Sequence, residues 1–254
     1  MIRSIFEVFA FEVRRTLTPG RSVHWLALVL LPALLLWVVR QQSGHAMDVI
    51  QATWTIYFMV PIVSCMLGLL LWATPAVQSE QEGQTWIYLA VRPHGKFAVV
   101  LGKYLVAIAW TISAGLFSTT ACILASQVAD RERLWGTISL LVILSSLSYG
   151  ALYLLIGVLF TRRGIVIAVS YTLIVELAVS LIPATVNKLT ISHRLRTILA
   201  DGMGLEQLRS AAGILFGEKG ALQHLLILLA YTICLLIAAL FVLRNKEVTM
   251  ISES

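Results

Sequence analysis

Long apolar runs dominate the order of hydrophobic and polar positions along this chain. They do not alternate with polar residues, as the run Leu26–Leu36 illustrates, so they lack the period of a transmembrane β-barrel strand. Several reach the roughly 20 residues that an α-helix needs to cross about 30 Å of hydrocarbon. Because unpaired backbone groups are costly in lipid, these runs predict an all-α polytopic membrane protein. Six spans can be drawn: Val23–Val39, Trp54–Val77, Phe97–Ser126, Leu134–Phe160, Ile165–Pro183 and Leu222–Leu243.

A different pattern precedes the first run. Apolar residues recur there at helical spacing, while charged residues fall mostly on the other side. This pattern predicts that residues 1–21 form an amphipathic helix in the membrane interface. Thr18, Pro19 and Gly20 are expected to end it. A frayed basic terminus is the simpler alternative.

Prolines interrupt the first two runs. Pro32, Pro61 and Pro75 lie in or beside them. A proline inside a span usually bends the helix, because it lacks an N–H group and crowds the preceding turn. The bends could serve packing, or they could act as hinges for gating.

Composition supports the membrane class and argues against several others. The chain is 59% hydrophobic and 13% charged, with a mean hydropathy of +0.87. No P-loop, H-E-x-x-H or G-x-S-x-G pattern occurs, and Cys65, Cys122 and Cys234 sit singly in separate runs. We therefore expect no enzyme activity, no metal site and no ATP bound by this chain. The net charge of +6 fits an anionic lipid surface better than nucleic acid.

Lysine and arginine set the expected orientation. Eleven of the 19 fall on one side of the predicted membrane: Arg3, Arg14, Arg15, Arg21, Arg92, Lys96, Lys103, Arg162, Arg163, Arg244 and Lys246. Five of the other eight lie in one long loop, where the rule is weaker, so the bias is clearest in the short loops. By the positive-inside rule that side is cytoplasmic. The prediction is a multi-pass protein of the cell (inner) membrane with both termini in the cytoplasm.

A polar island separates the second and third runs. It comprises residues 78–86, residues 92–96 and the pair Gly102 and Lys103. Residues 78–91 could form a short surface helix that ends before Pro93. Such a helix would present an aromatic anchor with a charged rim to a soluble partner. An ordinary loop with Trp86 and Tyr88 at headgroup level is the alternative.

The island resembles the signature between the second and third spans of type-2 ABC transporter permeases. That signature contains acidic residues, glycine and threonine, a leucine, a proline with a nearby basic residue, and glycine-lysine. The matching residues here are Glu80, Glu82, Gly83, Thr85, Leu89, Pro93, Lys96, Gly102 and Lys103. One extra residue between Gly83 and Pro93 distinguishes this chain.

This resemblance implies a six-span subunit that pairs with a second permease subunit. Each subunit would dock an ABC ATPase, which would bind the ATP and Mg²⁺, and the transporter would be an exporter. Residues 78–96 would be the coupling helix. The ATPase-docking residues would then be Glu80, Glu82, Gly83, Thr85, Trp86, Leu89, Arg92, Pro93 and Lys103.

Two further features carry predictions. Glu176 lies in the middle of the fifth run, where a carboxyl group is expensive and should face a pathway, a dimer interface or a local hydrogen-bond partner. Residues 184–221 show two helical stripes, separated between Asp201 and Gly204. In the family this region often dips into the outer leaflet and closes the pathway. Alternatively, it would bind an extracytoplasmic accessory protein.

Two other function classes stay open. The same island could anchor a soluble partner without transport. A secondary transporter is the other class, although the chain shows no convincing internal repeat.

Overall fold

The structure, a computed structural model, describes residues 2–43, 48–82, 95–126, 128, 130–179, 190–204 and 221–245. These residues form helices and no strands. Within them, five helices are long and apolar enough to cross a membrane, so the chain is an all-α polytopic membrane protein. Of the expected span Ile165–Pro183, the described part ends at Val179. The number of six spans therefore stays a prediction.

The helices follow one another along the chain with short breaks. The first half contains α1 (Ile2–Thr16), α2 (Pro19–Ser43), α3 (Val49–Tyr57), a π-helical turn (Phe58–Ser64), α4 (Cys65–Trp72), a 3₁₀ turn (Thr74–Ala76) and α5 (Gln78–Glu82). The second half contains α6 (Gly95–Ser126), α7 (Arg131–Leu159), α8 (Gly164–Tyr171) with a π-helical extension (Thr172–Val179), α9 (Ile191–Met203) and α10 (Ala221–Asn245).

Helix α1 is the amphipathic helix expected at the amino terminus, but it is shorter than predicted. It ends at Thr16, and Pro19 already belongs to α2. Proline suits the first position of a helix, since its missing N–H would have no partner there. Phe6, on the apolar side of the sequence pattern, is exposed. The position of this helix in the membrane interface stays a prediction.

Helix α7 forms the centre of the bundle. It packs against α4, α6, α9 and α10, and Tyr149 and Tyr153 are fully buried along it. Its Ser145 hydroxyl donates to the Pro61 carbonyl at 2.5 Å. Pro61 lies inside the π-helical turn, so this proline does interrupt the regular α-helix as its chemistry predicts.

The bundle has two ends, which we name after Lys103 and Arg131. Trp110 at the Lys103 end donates to Thr16 at 3.0 Å. At the Arg131 end, Arg40 donates to the Ala125 carbonyl at 2.8 Å. These contacts place α1 at one end of the bundle, and the α6–α7 turn at the other.

Helix α9 lies inside the bundle along only part of α7. Its stripe of Leu195, Ile198 and Leu199 is buried. Arg133 donates to the Gly202 carbonyl at 2.9 Å, which fixes the carboxyl terminus of α9 at the Arg131 end. The break expected between Asp201 and Gly204 falls at Gly204 itself, where φ is +63° and the helix ends.

Candidate functional site

A buried ion pair holds the beginning of the polar island. Lys103 Nζ on α6 lies 2.5 Å from Glu80 Oε1 on α5. The same ammonium group donates to Ser79 Oγ at 2.7 Å and to the Ala76 carbonyl at 3.2 Å. Both charged side chains are at least nine-tenths buried. The first turn after the second span is therefore fixed to the start of the third.

Helix α1 joins this cluster through a second cation. Arg15 Nη1 lies 3.5 Å from Glu80 Oε1 and 3.5 Å from Glu12 Oε1. Close packing brings α1 to this place: a Cβ atom on Gly102 would lie 2.6 Å from Val8 Cγ1, so only glycine fits there without movement. Glu80 thus bridges α1 and α6.

A small cavity adjoins the ion pair. It has a volume of about 60 Å³, and Glu12, Arg21, Trp72, Lys103 and Trp110 are among its lining residues. Charged groups and indole rings meet in this cavity at the Lys103 end. A polar cavity of this size has room for a few water molecules.

A close contact joins the 3₁₀ turn before the island to α7 and α8. A Cβ atom on Gly157 of α7 would lie 2.1 Å from the Thr74 carbonyl oxygen. The side chain of Thr74 also approaches Gly164, the first residue of α8. The 3₁₀ turn before α5 is therefore wedged against the α7–α8 turn at the Lys103 end.

A second buried carboxyl group lies deeper in the bundle. Glu176 is 1% exposed. Its Oε2 accepts from the Tyr149 hydroxyl at 2.8 Å, from the Ser192 backbone N–H at 3.2 Å and from the Ser192 hydroxyl. Its Oε1 accepts from the Ile191 backbone N–H at 3.3 Å. A carboxyl group on the fifth apolar helix thus caps the amino terminus of α9.

Comparison with known families decides the identity of this membrane fold. Residues 21–191 match the ABC-2 family transporter protein family. The chain belongs to this family. Among curated proteins, no match was found for it. The match covers every span up to the start of α9, and it makes the chain the membrane-embedded permease subunit of an ABC transporter.

The structure of the permease describes only part of the predicted docking surface. Glu80 and Lys103 are brought together as an ion pair. Glu82 ends α5, with only its backbone described. Gly83, Thr85, Trp86, Leu89, Arg92 and Pro93 lie outside the described residues. Their role in docking stays a prediction.

Sequence reasoning selected Glu176 but not its partners. In this permease subunit the carboxyl group faces Tyr149 of α7 and the start of α9. A tyrosine in the middle of an apolar span was the available signal, since a buried hydroxyl needs a hydrogen-bond partner. Arg15 was likewise read only as a basic residue of the polar side of α1 and of the cytoplasmic side of the membrane, although it reaches Glu80.

Proposed function

We propose that this permease docks an ABC ATPase subunit through residues 78–96 and exports a substrate when ATP binding and hydrolysis move that segment. The observation that carries the proposal is the double engagement of Glu80 by Lys103 and Arg15. A segment that receives force from a partner must be joined firmly to the parts that it moves. Here α5 is joined to the third span and to α1.

The packing of the Lys103 end offers a route for that force. Displacement of α5 would move α6 through the buried ion pair, and it would press the 3₁₀ turn on Gly157 and Gly164. Packed elements that shift together as bodies are the usual basis of switching between two states. Two permease subunits, each with its ATPase, would then alternate between inward-facing and outward-facing states, with ATP and Mg²⁺ held by the ATPases.

Replacement of Trp86 by Ala tests the docking site. A buried tryptophan anchor is typically worth about 2 kcal/mol or more, so affinity for the ATPase should fall roughly 30-fold. The measurement is the amount of ATPase that purifies with the permease in detergent, together with the ATP hydrolysis of the complex.

The matched control is Trp135→Ala. Trp135 is exposed, lies at the Arg131 end and donates to Thr120, so its loss should leave ATPase binding unchanged. Full co-purification of the ATPase with the Trp86→Ala permease would exclude this tryptophan as the anchor.

A further inference from the structure

Helix lengths place the cap formed by Glu176 near the middle of the hydrocarbon core. Glu176 follows Gly164, at the Lys103 end, by twelve residues, which corresponds to about 18 Å of helix. Tyr149 precedes the end of α7 at Leu159 by ten residues, or about 15 Å. Both values are close to half of a hydrocarbon core about 30 Å thick. Helix α9 therefore begins at mid-depth and runs to the Arg131 end.

A helix that begins at this depth needs partners for its first backbone N–H groups. Ile191 and Ser192 are buried, and an unsatisfied buried group costs several kcal/mol in hydrocarbon. Thr190 accepts from the His193 N–H, and Glu176 accepts from the N–H groups of Ile191 and Ser192. Glu176 thus supplies contacts that lipid cannot replace.

The apolar stripe of α9 holds the helix less firmly than its burial suggests. Leu195, Ile198 and Leu199 pack inside the bundle, but lipid tails are as apolar as leucine, so burial in a membrane has no hydrophobic driving force of its own. Close packing and hydrogen bonds between helices then carry more of the attachment. At its other end α9 is joined to α7 by the exposed bond between Arg133 and Gly202.

We propose that Glu176 is the positioning residue that holds α9 against α7, and that this cap is released when the transporter changes state. The release, though not the cap itself, rests on the proposed ATP-driven function. Helix α8 and its π-helical extension connect the cap to the α7–α8 turn, which packs on Thr74 beside the island. Movement of the island can therefore reach Glu176 along one continuous helix.

The first experiment measures whether Glu176 holds α9. Ala200, which is buried on α9, is replaced by Cys in a permease whose Cys65, Cys122 and Cys234 are replaced by Ala. We expect Glu176→Gln to increase the rate of maleimide labelling at position 200 at least tenfold. Both carboxyl oxygens of Glu176 accept hydrogen bonds. A glutamine replaces one of these oxygens with an NH₂ group, which cannot accept, so part of the cap is lost.

A smaller change keeps the test valid if Glu176→Gln prevents folding. Tyr149→Phe removes one hydroxyl that donates to Glu176 and should also increase labelling. Tyr153→Phe is its matched control, because Tyr153 lies one turn away on α7 and is equally buried, but bonds to Thr172. Labelling that is unchanged in both Glu176→Gln and Tyr149→Phe, or equally increased by Tyr153→Phe, would overturn the proposal.

The second experiment measures release in the complete complex. With the ATPase bound and Glu176 intact, a non-hydrolysable ATP analogue with Mg²⁺ should increase labelling at position 200 several-fold. An unchanged rate in an assembled, nucleotide-bound complex would show that Glu176 has only a structural role. If the ATPase does not bind the permease, the proposed function fails, while labelling of the permease alone still decides whether Glu176 holds α9.

Discussion

Replacement of Lys103 by Met should destabilise the permease by about 3 kcal/mol. The ammonium group of Lys103 lies 2.5 Å from Glu80 Oε1, and the two side chains are only 10% and 7% exposed. Removal of one member of a buried ion pair leaves the other charge uncompensated, which typically costs about 3–5 kcal/mol. Arg15 remains 3.5 Å from the same oxygen, so we expect the lower end of this range.

Two native thiols provide the assay. Cys65 and Cys122 are buried and Cys234 is exposed, so a maleimide dye that fluoresces on reaction reports unfolding above a constant background. For a chain of this size, each kcal/mol of lost stability lowers the midpoint temperature of thermal unfolding by roughly 2–4 °C. Lys103→Met should therefore lower that temperature by about 6–12 °C.

A double variant tests whether the lost stability comes from the unpaired charge of Glu80. Lys103→Met combined with Glu80→Gln should be less destabilised than the sum of the two single changes by at least about 1 kcal/mol, because neither charge is then left alone. Arg14→Met, on the exposed side of α1, is the control and should have little effect. A loss below about 1 kcal/mol for Lys103→Met, or strict additivity in the double variant, would refute the reasoning.

Two further predictions concern close packing and orientation. Gly157→Ala should destabilise the permease by about 1–3 kcal/mol, because the added Cβ would lie 2.1 Å from the Thr74 carbonyl oxygen. The control is Gly136→Ala on the same helix, whose added Cβ meets no atom within 4 Å and which should be neutral or stabilising by up to about 1 kcal/mol. Equal changes in unfolding temperature for the two variants would show that the contact between Gly157 and Thr74 does not limit the side chain at position 157. For orientation, a cysteine in place of the exposed Glu132 should react with an impermeant maleimide added outside intact cells. A cysteine in place of Arg163 should react only after permeabilisation, and the reverse pattern would show the opposite topology.

Local pattern alone was enough for the membrane class and for the position of most helices. Each apolar run had to become a helix, because lipid offers no partner to backbone groups. The thickness of the hydrocarbon sets the shortest run that can span it, roughly 20 residues. The helical stripe of Leu195, Ile198 and Leu199 was also readable, since the residues three and four apart share one face. The end of α1 was less predictable, because proline either stops a helix or starts the next one.

The residues of the candidate sites were partly visible in the sequence, but their partners were not. Glu80, Lys103 and Glu176 stand out as charges beside or within apolar runs. Which group meets each charge depends on which helices become neighbours, and a period of 3.6 residues carries no information about that choice. Arg15 reaches Glu80 from another helix, and Gly157 meets Thr74 across the bundle. Glu176 accepts from the backbone N–H of Ser192, 16 residues away, because α9 lies inside the bundle with its first N–H groups facing the carboxyl group.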